Sequence, residues 1–396
     1  MSISLHWFLT SSGDIRPVPH RGETALGLFP SAGGAGGRPG RRPAGFREPD
    51  IEYLAQQARA ADALGFTAVL TPTGTVCEDA WLTAAALARE TERLKFLVAF
   101  RPGLMSPTLS AQMAATLQRQ SRGRLLLNVV TGDDAEQPRF GDWLAKDERY
   151  ARTDEFLEVV RGVWSGEPYS FEGDHYRIRD AGLLAAPDPV PPLYFGGSSD
   201  AALPVAGRHA DVYLTWGEPP AQAREKIERV RREAQKAGRG DRIRFGIRFH
   251  VFTRDTSAAA WAEAQRFLDA LDPEDIRRTQ EILRRNTSVG QQRMLALHGD
   301  SKDGDLEVYP NVWAGIGLAR GHAGTALVGS HDEVADRIEE YHRAGIDEFI
   351  FSGYPNLEES YWFGENVIPR LRDRGLLDEV LDEAGDELRV LTAAAS

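Results

Sequence analysis

Cysteine is almost missing from this chain. A single residue of 396, Cys77, excludes an internal disulfide and suits a reducing compartment. Long apolar runs are missing too, and none approaches the roughly 20 residues a bilayer-crossing helix needs. The stretch from Met1 to Ser12 has no basic start and no small-residue cleavage site, so a strand is expected there and not a signal peptide. Basic residues are outnumbered, 47 Lys and Arg against 59 Asp and Glu. The resulting net charge of −12 argues against nucleic acid or an anionic membrane as partner. The nine histidines form neither HxxxH nor HExxH, so no metal centre is expected. GxGxxG and GxxxxGK[ST] do not occur, which removes both nucleotide-binding fingerprints. What is left is the expectation of a soluble, cytoplasmic protein. Its 42% apolar and 27% charged residues are those of a globular chain.

Short apolar runs rich in β-branched and aromatic residues alternate with helical patterns. Eight runs predict strands: Ile3 to Leu9, Ala68 to Thr71, Lys95 to Phe100, Leu125 to Thr131, Leu193 to Phe195, Val212 to Thr215, Arg244 to Phe252 and Glu348 to Ser352. Continuous apolar runs suit parallel strands covered on both faces. Between them, Asp50 precedes an apolar stripe closed by Gly65, Thr108 opens a segment closed near Gly123, and Asp332 opens one closed by Gly345. Alternating strands and helices in this number predict an α/β fold, a (β/α)8 TIM barrel, as one unit over residues 1–375. Two regions break the rhythm. Residues 27–49 are rich in Gly, Pro and Arg and predict a mobile loop. A long insertion between strands 7 and 8, at about 255–330, holds helices near 258–271 and 273–285 and a polar stretch, Leu297 to Glu307, a candidate lid. Ser170 to Ile178 predicts a hairpin, and residues 376–396 a tail.

Active groups of a barrel stand where strands end. Cys77 follows strand two and reads as a small buried residue or a pocket thiol. Asn128 and Thr131 close strand four, and an amide inside an apolar strand must find partners from protein or ligand. The turn Gly197, Ser198, Ser199 precedes an Ala-rich helix, which makes it an anion site or an ordinary cap. Trp216 ends strand six as a pocket wall or a plug. In strand seven Arg244, Gly246, Arg248 and His250 alternate, so they share one face. Phe245, Ile247, Phe249 and Val251 share the other. The apolar set belongs under the helices, which turns Arg248 and His250 into the lumen, where they need an acidic partner or a ligand anion. Tyr354 follows strand eight. Arg320 stands between glycines at the end of the insertion, as a lid cation or a solvated one.

These residues sit in segments that together resemble one family. "PTGTVCEDAW", "LKFLVAFRP", "NVVTGDD", "PPLYFGGSSD", "LTWGEPP", "RFGIRFHV", "SVGQQRM", "RGHAGTALVG" and "SGYPNLEE" are similar, in this order, to the two-component alkanesulfonate monooxygenases of the bacterial-luciferase superfamily. The resemblance runs from about Ile3 to about Leu371. The loop after strand one departs from it in length, which leaves open whether methanesulfonate, sulfoquinovose or longer chains are preferred. The resemblance implies active-site roles for Cys77, Trp216, Arg248, His250, Arg320 and Tyr354. It implies FMN-phosphate contacts from Tyr150, Gly197, Ser198 and Ser199. It further implies reduced FMN (FMNH2) supplied by a separate NAD(P)H-dependent FMN reductase, O2 as co-substrate, a homotetramer, and a role in sulfur assimilation. Rival expectations are a related oxygenase acting on an aldehyde, a sulfone or an aminocarboxylate, a deazaflavin-dependent dehydrogenase, and a non-catalytic flavin-binding barrel.

Overall fold

The computed structural model describes residues 2–15, 45–132, 134, 136–298 and 305–378. All eight expected runs are strands of one closed parallel barrel. They are β1 (Ser4–Phe8), β2 (Ala68–Thr71), β3 (Lys95–Phe100), β4 (Leu125–Val129), β5 (Leu193–Gly196), β6 (Val212–Trp216), β7 (Arg244–Arg248) and β8 (Glu348–Phe351). Each strand pairs with its sequence neighbour, and β8 closes the ring on β1, with Ser4 beside Glu348 and Trp7 beside Phe351. The outer faces carry Trp7, Val69, Phe96, Phe245, Ile247 and Phe349 into the core beneath the helices. The inner faces carry Leu70, Leu97, Leu126, Tyr194 and Ile350 into a smaller apolar cluster that fills the lumen.

The helices begin where local chemistry starts them. Asp50 accepts from the Tyr53 amide at 2.8 Å and caps α1 (Ile51–Leu64), which ends at Gly65 with φ +85°. The helix expected from Thr108 starts earlier. Ser106 is its cap, and Pro107, whose missing N–H is no loss at this position, is its first residue. The one expected from Asp332 starts at His331, because Ser330 and Glu333 form a capping box. Tyr169–Glu172 and Arg177–Ala181 make the expected hairpin.

Strand seven corrects one expectation. It does not run in the barrel to Phe252. Its edge facing β6 is left after Arg248, whose carbonyl takes the Gly217 amide. From His250 to Arg254 that edge pairs instead with Ala326–Ser330, a parallel strand at the far end of the insertion. The other edge keeps its bonds to the β8 side, from Phe249 to Ile350 and from Val251 to Ser352. The insertion therefore grafts a four-stranded sheet onto the top of strand seven. Its helices Ser257–Asp269 and Pro273–Arg284 match the expected ones within two residues, and Phe252, Phe267 and Trp313 form a core of their own. The expected loop at 27–49 up to residue 44, the lid at residues 299–304 and the tail from residue 379 lie outside the described residues.

The barrel floor is polar and closed. Glu348 is fully buried; it accepts from Tyr194 Oη at 2.7 Å and pairs with Arg244 at 2.5 Å and His6 Nε2 at 3.2 Å. Burial alone would raise the Glu348 carboxyl, but His6, Arg244 and Tyr194 hold it below the usual range. A depressed carboxyl stabilises the fold above its unfolded pKa, and that contribution is lost as the pH falls through the folded value. Glu348→Ala leaves Tyr194 and His6 without their acceptor and is expected to lower unfolding free energy by about 3 kcal/mol at neutral pH, with a smaller effect in acid. Urea titrations of both proteins at the two pH values measure it.

Candidate active site

The carboxyl ends of the strands open into one cleft of about 230 Å³. Asn128, Thr131, Tyr150, Gly197, Ser198, Ser199, Trp216 and Arg248 all line it. The remaining four residues do not line it. Three of them form an adjoining group. Arg320 Nη1 donates to Tyr354 Oη at 2.8 Å, and the His250 ring stacks on Tyr354 with centroids 5.2 Å apart. His250 is 1% exposed, and its Nδ1 lies 2.9 Å from Ser352 Oγ. Burial, then Arg320 and Arg248, push this imidazole well below its ordinary pKa, so it is neutral. Cys77 stands beyond this group, half-buried. Burial raises its thiol above the ordinary value, which Ser11 only partly offsets, so it is a thiol and not a thiolate at neutral pH.

Arg248 is the exceptional residue. Its guanidinium lies over the Phe8 ring at 4.0 Å, and its sealed Nε and Nη2 have no hydrogen-bond partner. No carboxylate pairs with it among the described residues. Burial, with Arg320 adding repulsion, draws its pKa down to about 9. The group still carries its charge at neutral pH, so the cleft holds an uncompensated cation.

Of the other charges at the cleft, Lys146 donates to the Thr287 carbonyl, and three cations have carboxylate partners. Arg149 pairs with Asp134 at 2.7 Å, Arg101 with Glu136, and Lys226 with the buried Glu218 at 2.6 Å. These residues were missed from sequence, though two of them left a trace. Arg101 follows the last residue of β3, the position the barrel rule selects. Lys226 interrupts the buried stripe Ala223, Ile227, Val230 of α6 (Pro220–Lys236). His322, also missed, lines the cleft two residues past Arg320. Asn286 to Gln291 close one side, and Thr287 Oγ1 donates across to Asp134.

A second feature is a hydroxyl nest. Thr131 Oγ1 and Ser199 Oγ are buried, with the Tyr150 phenol as their neighbour. Burial raises the Tyr150 phenol, and Ser199 and Thr131 both oppose that shift, which places the three hydroxyls together. They stand before α5 (Ala202–His209), whose first amides are bonded to the Ser199 carbonyl. Gly197 keeps the nest open, since a Cβ there would lie 2.8 Å from Ala202 Cβ and 3.0 Å from Tyr150 Oη.

A family model described as luciferase-like monooxygenase matches residues 26–348. The chain belongs to the luciferase-like monooxygenases. Solved structures similar to it include riboflavin lyase (RcaE) with modified FMN and riboflavin, at TM-score 0.74 and 21% identity over 96% of this chain and 94% of that one. Another is long-chain alkane monooxygenase (LadA), at 0.73 and 21% over 97% and 94%. DmoA from Hyphomicrobium sulfonivorans stands at 0.73 and 22% over 96% and 90%. At these identities the likeness is one of fold.

The family's flavin fits the residues present. The buried hydroxyls of Thr131 and Ser199, the Tyr150 phenol and the bare Gly197 leave a polar recess beside Arg149, and these are the residues that could hold a flavin phosphate. Leu70, Leu214, Val129 and Ile350 form an apolar floor for a flat ring system. Among the described residues no group of three or more His, Cys, Asp or Glu is arranged to hold a metal, and no helix is long and apolar enough to cross a membrane. Gly197→Ala fills the recess and is expected to weaken flavin binding about tenfold or more. Anaerobic fluorescence titration measures this, and an unchanged affinity places the phosphate elsewhere.

Proposed function

We propose that this protein is a two-component monooxygenase that uses reduced FMN and O2 to cleave alkanesulfonates to an aldehyde and sulfite. The observation that carries the reading is Arg248, a charged guanidinium at the cleft whose Nε and Nη2 are sealed and unpartnered, with no carboxylate paired to it among the described residues. Arg248 is half-buried, and a ligand anion in the cleft gives its sealed nitrogens the acceptor they lack. A sulfonate is anionic at any physiological pH and offers three oxygens to a planar fork of donors. A neutral alkane or aldehyde leaves Arg248 unsatisfied.

The reaction balances as one alkanesulfonate, one O2 and one reduced FMN giving one aldehyde, one hydrogen sulfite, one water and one oxidised FMN. Bound reduced FMN supplies the two electrons that activate O2. The chain supplies the rest. The Thr131, Tyr150 and Ser199 hydroxyls and Arg149 hold the phosphate end. Arg248 holds the sulfonate at the top of β7, and Trp216, one strand over in register with it, walls the same side. Arg320 stands behind, oriented by Tyr354, and His250 packs the Tyr354 ring. The segment Asn286 to Gln291, tied to Asp134 through Thr287, shields the reacting atoms from water. The reductase partner, the homotetramer and the cytoplasmic location belong to the same proposal and rest on the family resemblance.

Sulfite release from a panel of alkylsulfonates with reduced FMN and air is the direct test, and release from none of them defeats the reading. Arg248→Ala is expected to cut sulfite release by about two orders of magnitude or more while reduced-FMN binding stays near normal. Lost flavin affinity instead assigns Arg248 to the cofactor. The pH dependence has a definite sign. Arg248 carries its charge below about 9, and the anion binds only that form. Sulfonate affinity is therefore full below that value and falls above it, by about tenfold per pH unit at the limit. Equilibrium binding between pH 7 and 10.5 measures it.

A further inference from the structure

The histidine that faces the cleft is not the one the strand pattern singles out. His250 is sealed, while His322 lines the cleft wall. His322 also has an uncommon backbone, with φ at +69°. A residue with a Cβ pays about 1–3 kcal/mol to stand in this region, and such residues gather at functional sites. Glycines at 321 and 324 stand close by, yet the left-handed position falls to a residue carrying an imidazole.

The surroundings fix that imidazole. The His322 amide donates to Gln291 Oε1 at 2.8 Å. Gly321 is pressed between the same glutamine and the helix Pro273–Arg284: a Cβ there would lie 3.0 Å from Gln291 Oε1 and 2.8 Å from Leu283 Cδ2. The ring then meets Trp216 edge-on, at 5.6 Å and 78°. Trp216 is paired in register with Arg248. The imidazole is thus held on the wall of the cleft to which the anion-binding guanidinium belongs.

We infer that His322 accepts the proton that the substrate gives up on becoming an aldehyde. This rests on the sulfonate reading above. In that reaction one oxygen atom from O2 ends on the substrate carbon, the carbon–oxygen double bond forms, and the carbon–sulfur bond breaks with its electron pair leaving on sulfur. The organic sulfonate carries one negative charge and the departing sulfite two, so one proton is released for each aldehyde made. Among the described residues the cleft offers few acceptors for it. Arg248 and Arg320 are cations, Lys226 is held by Glu218 and Thr215, and Glu136 is tied to Arg101. An imidazole is the side chain whose basicity matches proton transfer near neutral pH. From the imidazole the proton passes to the departing sulfite.

The backbone supplies a clean test. Asn tolerates the left-handed region and keeps a polar group at the position, but it is no base. His322→Asn is expected to bind reduced FMN and octanesulfonate within threefold of the parent affinity while single-turnover sulfite release slows by about 100-fold or more. His322→Gly, which suits the same backbone, is expected to slow equally and to recover part of the rate in tens of millimolar imidazole. Sulfite release by His322→Asn within threefold of the parent rate, or slow His322→Gly that imidazole does not rescue, overturns the role. The two failures are separate: a parent enzyme that makes no sulfite removes the substrate reading and this step with it, whereas an active parent with an equally active His322→Asn removes the proton role alone.

Discussion

An unpaired guanidinium at the mouth of the barrel governs this site. A cation withdrawn from water needs compensation, and barrel lumens are built of apolar layers that give none. Here the compensation supplied by the protein is partial. Phe8 offers the face of its ring at 4.0 Å, an interaction of about 0.5–2 kcal/mol, well short of an ion pair. Among the described residues no carboxylate pairs with Arg248. Asp134, Glu136 and Glu218 all lie near the cleft, and each is tied to another cation, Arg149, Arg101 and Lys226 respectively. A protein with a net charge of −12 thus keeps a positive hole at its functional end. The imbalance is local, produced by pairing these three acids with other cations.

The floor of the same lumen solves the opposite problem. Glu348 is a buried anion, and His6, Tyr194 and Arg244 surround it. Both ends of strand seven therefore place an arginine on its inner face, at 244 and at 248, two turns of the pleat apart. At the amino end the guanidinium has its carboxylate and serves stability. At the carboxyl end it has none and is available to a ligand. The contrast fits the division of labour in these barrels, with stability at one face and chemistry at the other.

Strand-forming runs were legible because parallel strands covered on both faces are apolar throughout, and all eight emerged from that signal alone. The inward turn of Arg248 was legible from alternation. What alternation does not reveal is a change of neighbour. Residues 244 to 252 read as one strand, yet after Arg248 one edge leaves β6 for Ala326–Ser330, more than seventy residues downstream. The pairing energy that decides this is carried by the distant segment and leaves no mark on the local pattern. The same exchange explains why His250 is packed on Tyr354 while Arg248, two residues earlier, is open to the cleft. The missed cleft residues divide similarly. Arg101 and Lys226 break local rules that could be read. The place of His322 depends on Gln291 and Trp216, contacts that only the folded insertion brings together.

The insertion is accordingly part of the site's wall. His250 donates its amide to the Thr325 carbonyl, which locks the end of the Arg320 to Gly324 loop to strand seven. The Gly317 amide donates to the Gly324 carbonyl at 2.8 Å, and a Cβ on Gly324 would lie 2.9 Å from Gly317 Cα, so two backbone segments touch where the loop turns. Close contact of this kind excludes side chains and leaves little freedom to the residues between. Arg320 and His322 are held at the two ends of that constraint, one against Tyr354 and the other against Trp216. The loop's stiffness thereby sets the spacing of a guanidinium and an imidazole relative to Arg248. Under the proposed sulfonate reading, that fixed spacing is what presents both groups to one anion, since a site is only as precise as the shell that supports it.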